Sequence, residues 1–231
     1  MSDNVPAVSP TVLLAPVAAL AQLSSERGMA GDQSETLFRV VAAALFCTAL
    51  GISAHFRRKA DRAGGSVSWE GEGVPMLVAL RLSGLALWAA VVAYLVNPRW
   101  MQWAQLALPP WARWVGAVIG VATVALLYWL FSSLGKNITP TVATRAEHTL
   151  VTHGPYRWVR HPLYSVGTLF FLALSLLAAN WFIAVASICV LQLLALRLPK
   201  EEARLVEHFG DAYRAYMARS GRLLPRFRGR R

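Results

Sequence analysis

The sequence predicts an all-α, polytopic integral membrane protein with about five transmembrane helices and a cytosolic C-terminal helix. Of its 231 residues, 56% are hydrophobic, and these gather into long runs separated by short polar segments. Each run has about 18 to 23 residues, enough to cross a bilayer core of roughly 30 Å as a helix. The runs occupy residues 37–56, 74–96, 114–134, 162–179 and 181–198.

The N-terminal segment, residues 1–36, differs from the five runs. Its apolar stretch at 12–23 is too short for a span. Pro10 and Pro16 lie near the start of that stretch, and no Lys or Arg precedes it. A secretory signal would begin with a positive region. We therefore expect this segment to be disordered or to lie at the membrane interface.

Lysine and arginine residues are distributed unevenly between the segments that join the runs. If the N-terminus lies outside, the inner segments 57–73, 135–161 and 199–231 hold four, four and nine of them. The outer segments 1–36 and 97–113 hold one and two. This positive-inside bias predicts a cytosolic C-terminus, in what we expect to be a bacterial inner membrane. The net charge of +11 is thus explained by basic residues that orient the protein in the membrane, and we expect no nucleic-acid partner.

The last two runs are separated by Asn180 alone, which predicts a tight helical hairpin over 162–198. The polar segment that follows, KEEARLVEHFGDAYRAYMA, is predicted to form the C-terminal helix. Its apolar residues recur at helical spacing and should form one stripe against the membrane or the helical core. The stripe consists of Val206, Phe209, Tyr213 and Tyr216.

The most informative segment is HTLVTHGPYRWVRHPLY, residues 148–164. It holds three His, two Arg and two Tyr directly before an apolar run. Ionisable groups are costly to hold against a membrane helix and by default suggest a functional site. The pair Gly154-Pro155 predicts a turn. Pro162 suits the first position of a helix, which would leave His161 at its cap.

Each of these residues also has a structural interpretation when taken alone. The histidines and tyrosines could be interfacial, and the arginines could be ordinary positive-inside residues. Arg197 could snorkel from the end of its helix, and Glu201 and Glu202 could be solvated. The chain has no P-loop, Rossmann glycine pattern or zinc motif. We expect no metal site, and any cofactor should be held by the membrane helices and their inner loops.

Together, these residues resemble a known family. The run LVTHGPYRWVRHPLY, the segment RLPKEE and the tail EHFGDAYRAYMARSGRLLPRF are similar in order and spacing to the isoprenylcysteine carboxyl methyltransferases and the related phospholipid methyltransferases. The resemblance covers residues 134–227, about 40% of the chain. It divides the chain into the N-terminal segment, three transmembrane helices within 37–134, and a methyltransferase-like region over 135–231.

The resemblance implies S-adenosyl-L-methionine as methyl donor and a lipophilic or lipidated methyl acceptor. Arg197 would face the acceptor, and Glu201 would either orient Arg197 or contact the cofactor; these two are the implied catalytic residues. Carried over by position, the cofactor-binding residues are His148, Thr149, Leu150, Val151, Tyr156, His161, Pro162, Leu163, Tyr164, Glu201 and, in the preceding loop, Asn137.

The acceptor stays open between several chemistries. An isoprenylcysteine carboxylate, with a pKa near 3.5, is ionised at pH 7 and needs no base. A phosphatidylethanolamine amine would need Glu201, Glu202 or a histidine as base. Two further alternatives are an NADPH-dependent protein similar to the sterol reductases and a non-enzymatic membrane protein. The oligomeric state is also left open.

Overall fold

The computed structural model describes residues 10–62, 74–135 and 149–226, with side chains described from residue 33 onward. These residues are helical throughout most of their length and contain no β-strand, so the predicted all-α class is confirmed. Two short 3-10 segments, Pro98–Ala104 and Gly154–Arg157, lie in connections. The helices are α1 (Pro10–Arg62), α2 (Val74–Val96), α3 (Pro110–Leu134), α4 (Pro162–Ala178), α5 (Trp181–Phe209) and α6 (Asp211–Arg219).

Four of these helices are long and apolar enough to cross a membrane. They are the Gln33–Arg62 part of α1 together with α2, α3 and α5. The fourth predicted run forms the shorter α4, whose 17 residues extend about 26 Å at 1.5 Å per residue. This length is at the lower limit for a bilayer core. The protein is therefore a polytopic integral membrane protein, as its sequence predicts.

The first helix is longer than the predicted span at 37–56. Its backbone is helical from Pro10, so residues 10–36 are its first part, and it continues to Arg62. The predicted location of this N-terminal segment at the membrane interface stays a prediction.

The C-terminal helices differ from the prediction at both of their ends. The predicted boundary at 198 is absent, because α5 continues through Pro199 to Phe209. The predicted tail helix instead breaks at Gly210, whose φ of +58° is accessible to glycine without the strain of a Cβ. The break divides the predicted apolar stripe between two helices. Tyr213 and Tyr216 on α6 are buried, whereas Val206 and Phe209 on α5 are only partly so.

Small residues allow α3 to approach its neighbours closely. A Cβ added to Gly116 would lie 2.8 Å from the Ala173 carbonyl of α4, and one added to Gly120 would lie 2.6 Å from Leu45 of α1. Such glycines four residues apart are typical of tightly packed membrane helices.

At its C-terminal end, α4 is joined to α5 by the turn at Asn180. The Asn180 side chain caps α5 by accepting from the Ile183 amide and donates to the Met101 carbonyl at 3.2 Å. The hairpin therefore brings the start of α4 beside the last third of α5.

A buried polar group ties four helices together at the other end of the bundle. Arg113 donates to Glu35 Oε2 at 2.7 Å and to the Leu177 carbonyl at 2.8 Å. It also donates to the Tyr94 hydroxyl at 3.2 Å, while Tyr94 donates to Glu35 Oε1 at 2.9 Å. We call Glu35, Tyr94 and Arg113 the Arg113 cluster.

Candidate functional site

The start of α4 and the acidic pair of α5 meet in the folded chain. The Tyr164 hydroxyl donates to Glu201 Oε2 at 2.9 Å. The His161 ring lies between the two carboxylates, with Nδ1 3.7 Å from Glu201 and Nε2 3.5 Å from Glu202. The rings of His161 and Tyr164 stack with their centroids 5.6 Å apart. The sequence elements RHPLY and KEE, separated by about forty residues, thus form one polar centre.

Glu202 is the most enclosed carboxylate of this centre, with a side chain only 4% exposed. Its Oε1 accepts from Arg160 Nε at 2.8 Å, and its Oε2 accepts from Arg222 Nε at 3.0 Å. Arg160 also donates to the Met217 carbonyl at 3.1 Å, so the pair is anchored to the end of α6. A buried ion pair contributes little net stability, but removal of one partner is costly. We call Arg160, His161, Glu201, Glu202 and Arg222 the Glu202 cluster.

The chain after α6 returns to this site as a short strap, residues 220–226. The Arg160 amide donates to the Gly221 carbonyl at 2.8 Å, and the Gly221 amide donates to the Trp158 carbonyl at 2.9 Å. The His161 amide donates to the Arg222 carbonyl at 3.0 Å. The strap therefore holds the backbone that carries His161. Arg160 and Arg222 are not among the predicted site residues, although both lie in the motifs that carry the family resemblance.

Buried tyrosines complete the wall of the site. Burial, with Tyr216 and Glu201 nearby, raises the pKa of the Tyr156 phenol, so this residue stays neutral at physiological pH. Burial also raises the pKa of Tyr216 to about 12, and its hydroxyl donates to the Tyr156 carbonyl at 2.6 Å. The Tyr213 hydroxyl is buried and has no hydrogen-bond partner among the described residues. A buried hydroxyl in that condition is uncommon and needs an explanation.

The predicted site residues are not all brought together by these contacts. Tyr156, His161 and Tyr164 lie near Glu201. Pro162 is buried at the start of α4, and Leu163 packs against the hydrophobic core. The stretch 149–151 lies in an irregular segment ahead of the turn at Gly154, with Thr149 exposed and Leu150 and Val151 partly buried. Arg197 lies one turn before Glu201 on α5, with its Nε buried. His148 and Asn137 lie outside the described residues.

An apolar cavity of about 270 Å³ adjoins the polar centre. It lies between α1, α2, α3, α4 and α5, and most of its lining is aliphatic or aromatic. Leu163 and Tyr164 belong to both the cavity wall and the predicted cofactor-binding run. Polar groups enter the lining from α1 at Ser53 and Arg57. Tyr164 therefore separates an acidic, hydrogen-bonding compartment from a hydrophobic one.

The arrangement suits a reaction between a polar cofactor and a lipophilic substrate. Glu201 offers a partly exposed carboxylate to a cationic or hydrogen-bonding group, and the cavity offers an apolar surface to a hydrocarbon. In the described part of the chain, no group of three or more His, Cys, Asp or Glu side chains could hold a metal ion.

Residues 115–207 match the model of the isoprenylcysteine carboxyl methyltransferase family. The family resemblance predicted from the C-terminal motifs is confirmed.

Several curated proteins are similar to this region. The protein-S-isoprenylcysteine O-methyltransferase of Schizosaccharomyces pombe is 34% identical over 85 residues, which cover 36% of each chain. That of Homo sapiens is 28% identical over 135 residues, covering 55% of this chain and 46% of the human protein. The uncharacterized protein YpbQ of Bacillus subtilis is 31% identical over 101 residues, covering 43% of this chain and 60% of YpbQ. The matches thus span about one third to three fifths of these relatives' lengths.

A solved structure of the eukaryotic intramembrane Ras methyltransferase, an isoprenylcysteine carboxyl methyltransferase, is also similar. It has 20% sequence identity and a TM-score of 0.48, and the match covers 68% of this chain and 55% of that one.

Proposed function

We propose that this chain, whose residues 115–207 form an isoprenylcysteine carboxyl methyltransferase family region, is a membrane-embedded S-adenosylmethionine-dependent methyltransferase. Its reaction is the O-methylation of a carboxylate on an isoprenylcysteine-like or other lipophilic acceptor. The observation that carries the proposal is the position of Tyr164. This side chain touches Glu201 in the polar centre and also lines the apolar cavity.

The residues of the polar centre fit the proposed cofactor. S-adenosylmethionine carries a positive sulfonium and, when bound, supplies an electrophilic methyl group. Glu201 can attract that positive charge, because its carboxylate is 18% exposed and is not enclosed by arginines as Glu202 is. The Tyr213 hydroxyl, which has no hydrogen-bond partner among the described residues, offers one further donor close to Glu202 and Glu201. The proposed binding set otherwise stays as predicted, from Asn137 and His148 through to Glu201.

The acceptor chemistry needs orientation more than acid or base help. A carboxylate is already an anion at pH 7. It has to be held about 3 to 3.5 Å from the methyl carbon, in line with the bond that breaks. We assign this role to Arg197, whose guanidinium can hold a carboxylate with two parallel hydrogen bonds. Since Arg197 and Glu201 are four residues apart on α5, their side chains project from one face.

The proposed orientation places the N-terminus outside and the Glu202 cluster on the cytosolic side of a bacterial inner membrane. The positive-inside distribution of Lys and Arg supports this orientation. A water-soluble cofactor could then reach Glu201 from the cytosol. The lipophilic acceptor would reach the cavity from the bilayer.

Purified full-length protein in lipid nanodiscs would test the proposal. Binding of S-adenosylmethionine and of NADPH would be measured first. Transfer of a labelled methyl group to an S-farnesylcysteine analogue and to phosphatidylethanolamine would follow. We expect binding of S-adenosylmethionine alone and transfer to the carboxylate alone. Preferential NADPH binding, or transfer only to the amine lipid, would refute the proposed function.

A further inference from the structure

We infer that Arg57 of α1 is a specificity residue that recognises the negative charge of the acceptor at the mouth of the apolar cavity. This inference rests on the proposed function and adds to it a residue outside the family region. The occupant that it implies is a single hydrocarbon chain that ends in a carboxylate.

The position of Arg57 is the first observation. The cavity wall consists largely of apolar side chains from five helices, and Arg57 is the cation among its described lining residues. It lies near the inner end of α1, five residues before Arg62 ends the helix. Arg57 and the neighbouring Arg58 and Lys59 are all exposed, but Arg58 and Lys59 do not line the cavity in the described structure. Arg58 and Lys59 already supply the basic residues that favour an inner location for this end of α1. The positive-inside rule therefore does not explain why a cation lies in the cavity wall.

The hydrogen bonding of Arg57 is the second observation. Its Nε donates to Ser53 Oγ at 3.2 Å, one helical turn back. No carboxylate of the described residues forms an ion pair with its guanidinium. The two terminal nitrogens thus keep the planar fork of donors that matches a carboxylate. Ser53, which accepts from Nε, also lines the cavity.

The cavity volume decides which kind of lipid fits. At about 270 Å³ it lies just under the usual range of small-molecule sites, which begins near 300 Å³. A single prenyl or acyl chain is more compatible with this space than the two chains of a phospholipid. A tail in the cavity lies beside Tyr164, and Tyr164 contacts Glu201. The head of a bound chain is therefore placed between Arg57 and the polar centre.

Arg57 and Arg197 would then have separable effects. Arg197 acts on the reacting carboxylate in the transition state, so its loss should lower kcat. Arg57 acts on binding of the anion, so its loss should raise KM with little change in kcat. Because Arg57 is exposed at one side, its contribution should also weaken as the salt concentration rises.

The test is a direct binding measurement that does not depend on methyl transfer. An S-farnesylcysteine analogue with a free carboxylate and the matching uncharged carboxamide would be titrated into full-length protein in nanodiscs without cofactor. For the wild type we expect the carboxylate to bind roughly fivefold to tenfold more tightly, as for a charge-assisted pair partly screened by solvent. Arg57→Gln should reduce this preference to the part that Arg197 contributes, and Arg58→Gln, the matched control, should keep it in full.

An undiminished wild-type preference in Arg57→Gln, or an equal reduction in Arg58→Gln, would overturn the inference. Should Arg57→Gln fail to fold, Arg57→Met serves with the same expected results, because methionine preserves the apolar packing of the stem. The proposed function can fail independently. Normal charge discrimination without any methyl transfer in the wild type would count against the enzyme activity and leave the assignment of Arg57 intact.

Discussion

The Arg113 cluster and the Glu202 cluster lie at opposite ends of the helical bundle and use similar residue types, but they differ in how completely their hydrogen bonds are formed. In the Arg113 cluster, the guanidinium donates to a carboxylate, a phenol and a backbone carbonyl. Its charge also lies 4.0 Å from the centre of the Phe38 ring. Such a group is well satisfied and joins α1, α2, α3 and α4. We interpret it as structural.

The Glu202 cluster is less completely satisfied, because the buried His161 Nε2 has no hydrogen-bond partner among the described residues. Glu202 is enclosed by Arg160 and Arg222, as Glu35 is held by Arg113. Glu201 lies beside it but is more exposed, and the His161 nitrogens approach the two carboxylates at 3.5 and 3.7 Å. These distances are beyond good hydrogen-bond geometry. Unused polar capacity beside an apolar cavity is what distinguishes a binding site from a structural ion pair.

The largest expected effect is the loss of methyl transfer when Arg197 is replaced. Arg197→Ala should lower methyl transfer on the order of a thousandfold, about 4 kcal/mol, because the acceptor carboxylate loses its two-point grip. The affinity for S-adenosylmethionine, measured by calorimetry, should be unchanged. Arg204→Ala, further along the same helix, is the control and should retain activity. Unchanged turnover in Arg197→Ala would remove this residue from the mechanism.

The next effect concerns the structural cluster. Arg113→Met should lower the free energy of unfolding by about 2–3 kcal/mol, because Glu35 would lose its partner while still largely buried. Thermal unfolding in detergent would measure the loss. The folded fraction should bind cofactor normally, and Arg99→Met, an exposed control, should leave the unfolding temperature unaltered. Weakened cofactor binding without a loss of stability would contradict the structural interpretation of the Arg113 cluster.

Glu201 tests the contrast between the two neighbouring carboxylates. Glu201→Ala should weaken S-adenosylmethionine binding at least tenfold, about 1.4 kcal/mol, because the site loses its accessible negative charge. Stability should change little, since no arginine is left unpaired by this substitution among the described contacts. Glu207→Ala, an exposed control on α5, should bind cofactor as the wild type does. Unaltered affinity in Glu201→Ala would assign Glu201 to another role.

The smallest effect tests the cavity. Gly167 of α4 lines it, and a Cβ added there would have no neighbour within 4 Å, so a side chain in Gly167→Leu starts from open space. The KM for a farnesylated acceptor should rise about fivefold, roughly 1 kcal/mol, as apolar contact with the tail is lost. Gly84→Leu on α2 also has open space and does not line the cavity, so it should leave KM unchanged. An equal KM in both variants would argue that the tail lies elsewhere.

Several features of the fold are determined by local sequence. Apolar runs of bilayer length predict helices wherever they occur, because their backbone must be hydrogen-bonded internally in lipid. Pro162 and Asn180 predict where α4 begins and where the hairpin turns, since each acts on adjacent backbone. The predicted end of α5 at 198 is wrong, because the end of an apolar run marks the end of the span and not the end of the helix. The helix tolerates Pro199 but ends at Gly210, where φ is positive.

The choice between structural and functional polar groups is decided by the tertiary structure. The residue types of His161, Arg160 and the two glutamates do not distinguish their roles, so the sequence alone suggests a site for the group as a whole. Only packing shows that Glu202 is enclosed by arginines 42 and 20 residues away, while Glu201 is not. The cavity likewise requires five helices, and it includes both Arg57 of α1 and Tyr164 of α4 in its lining. The physical reason is that desolvation and partnership of a charge depend on residues distant in the chain, whereas helix formation depends on neighbours.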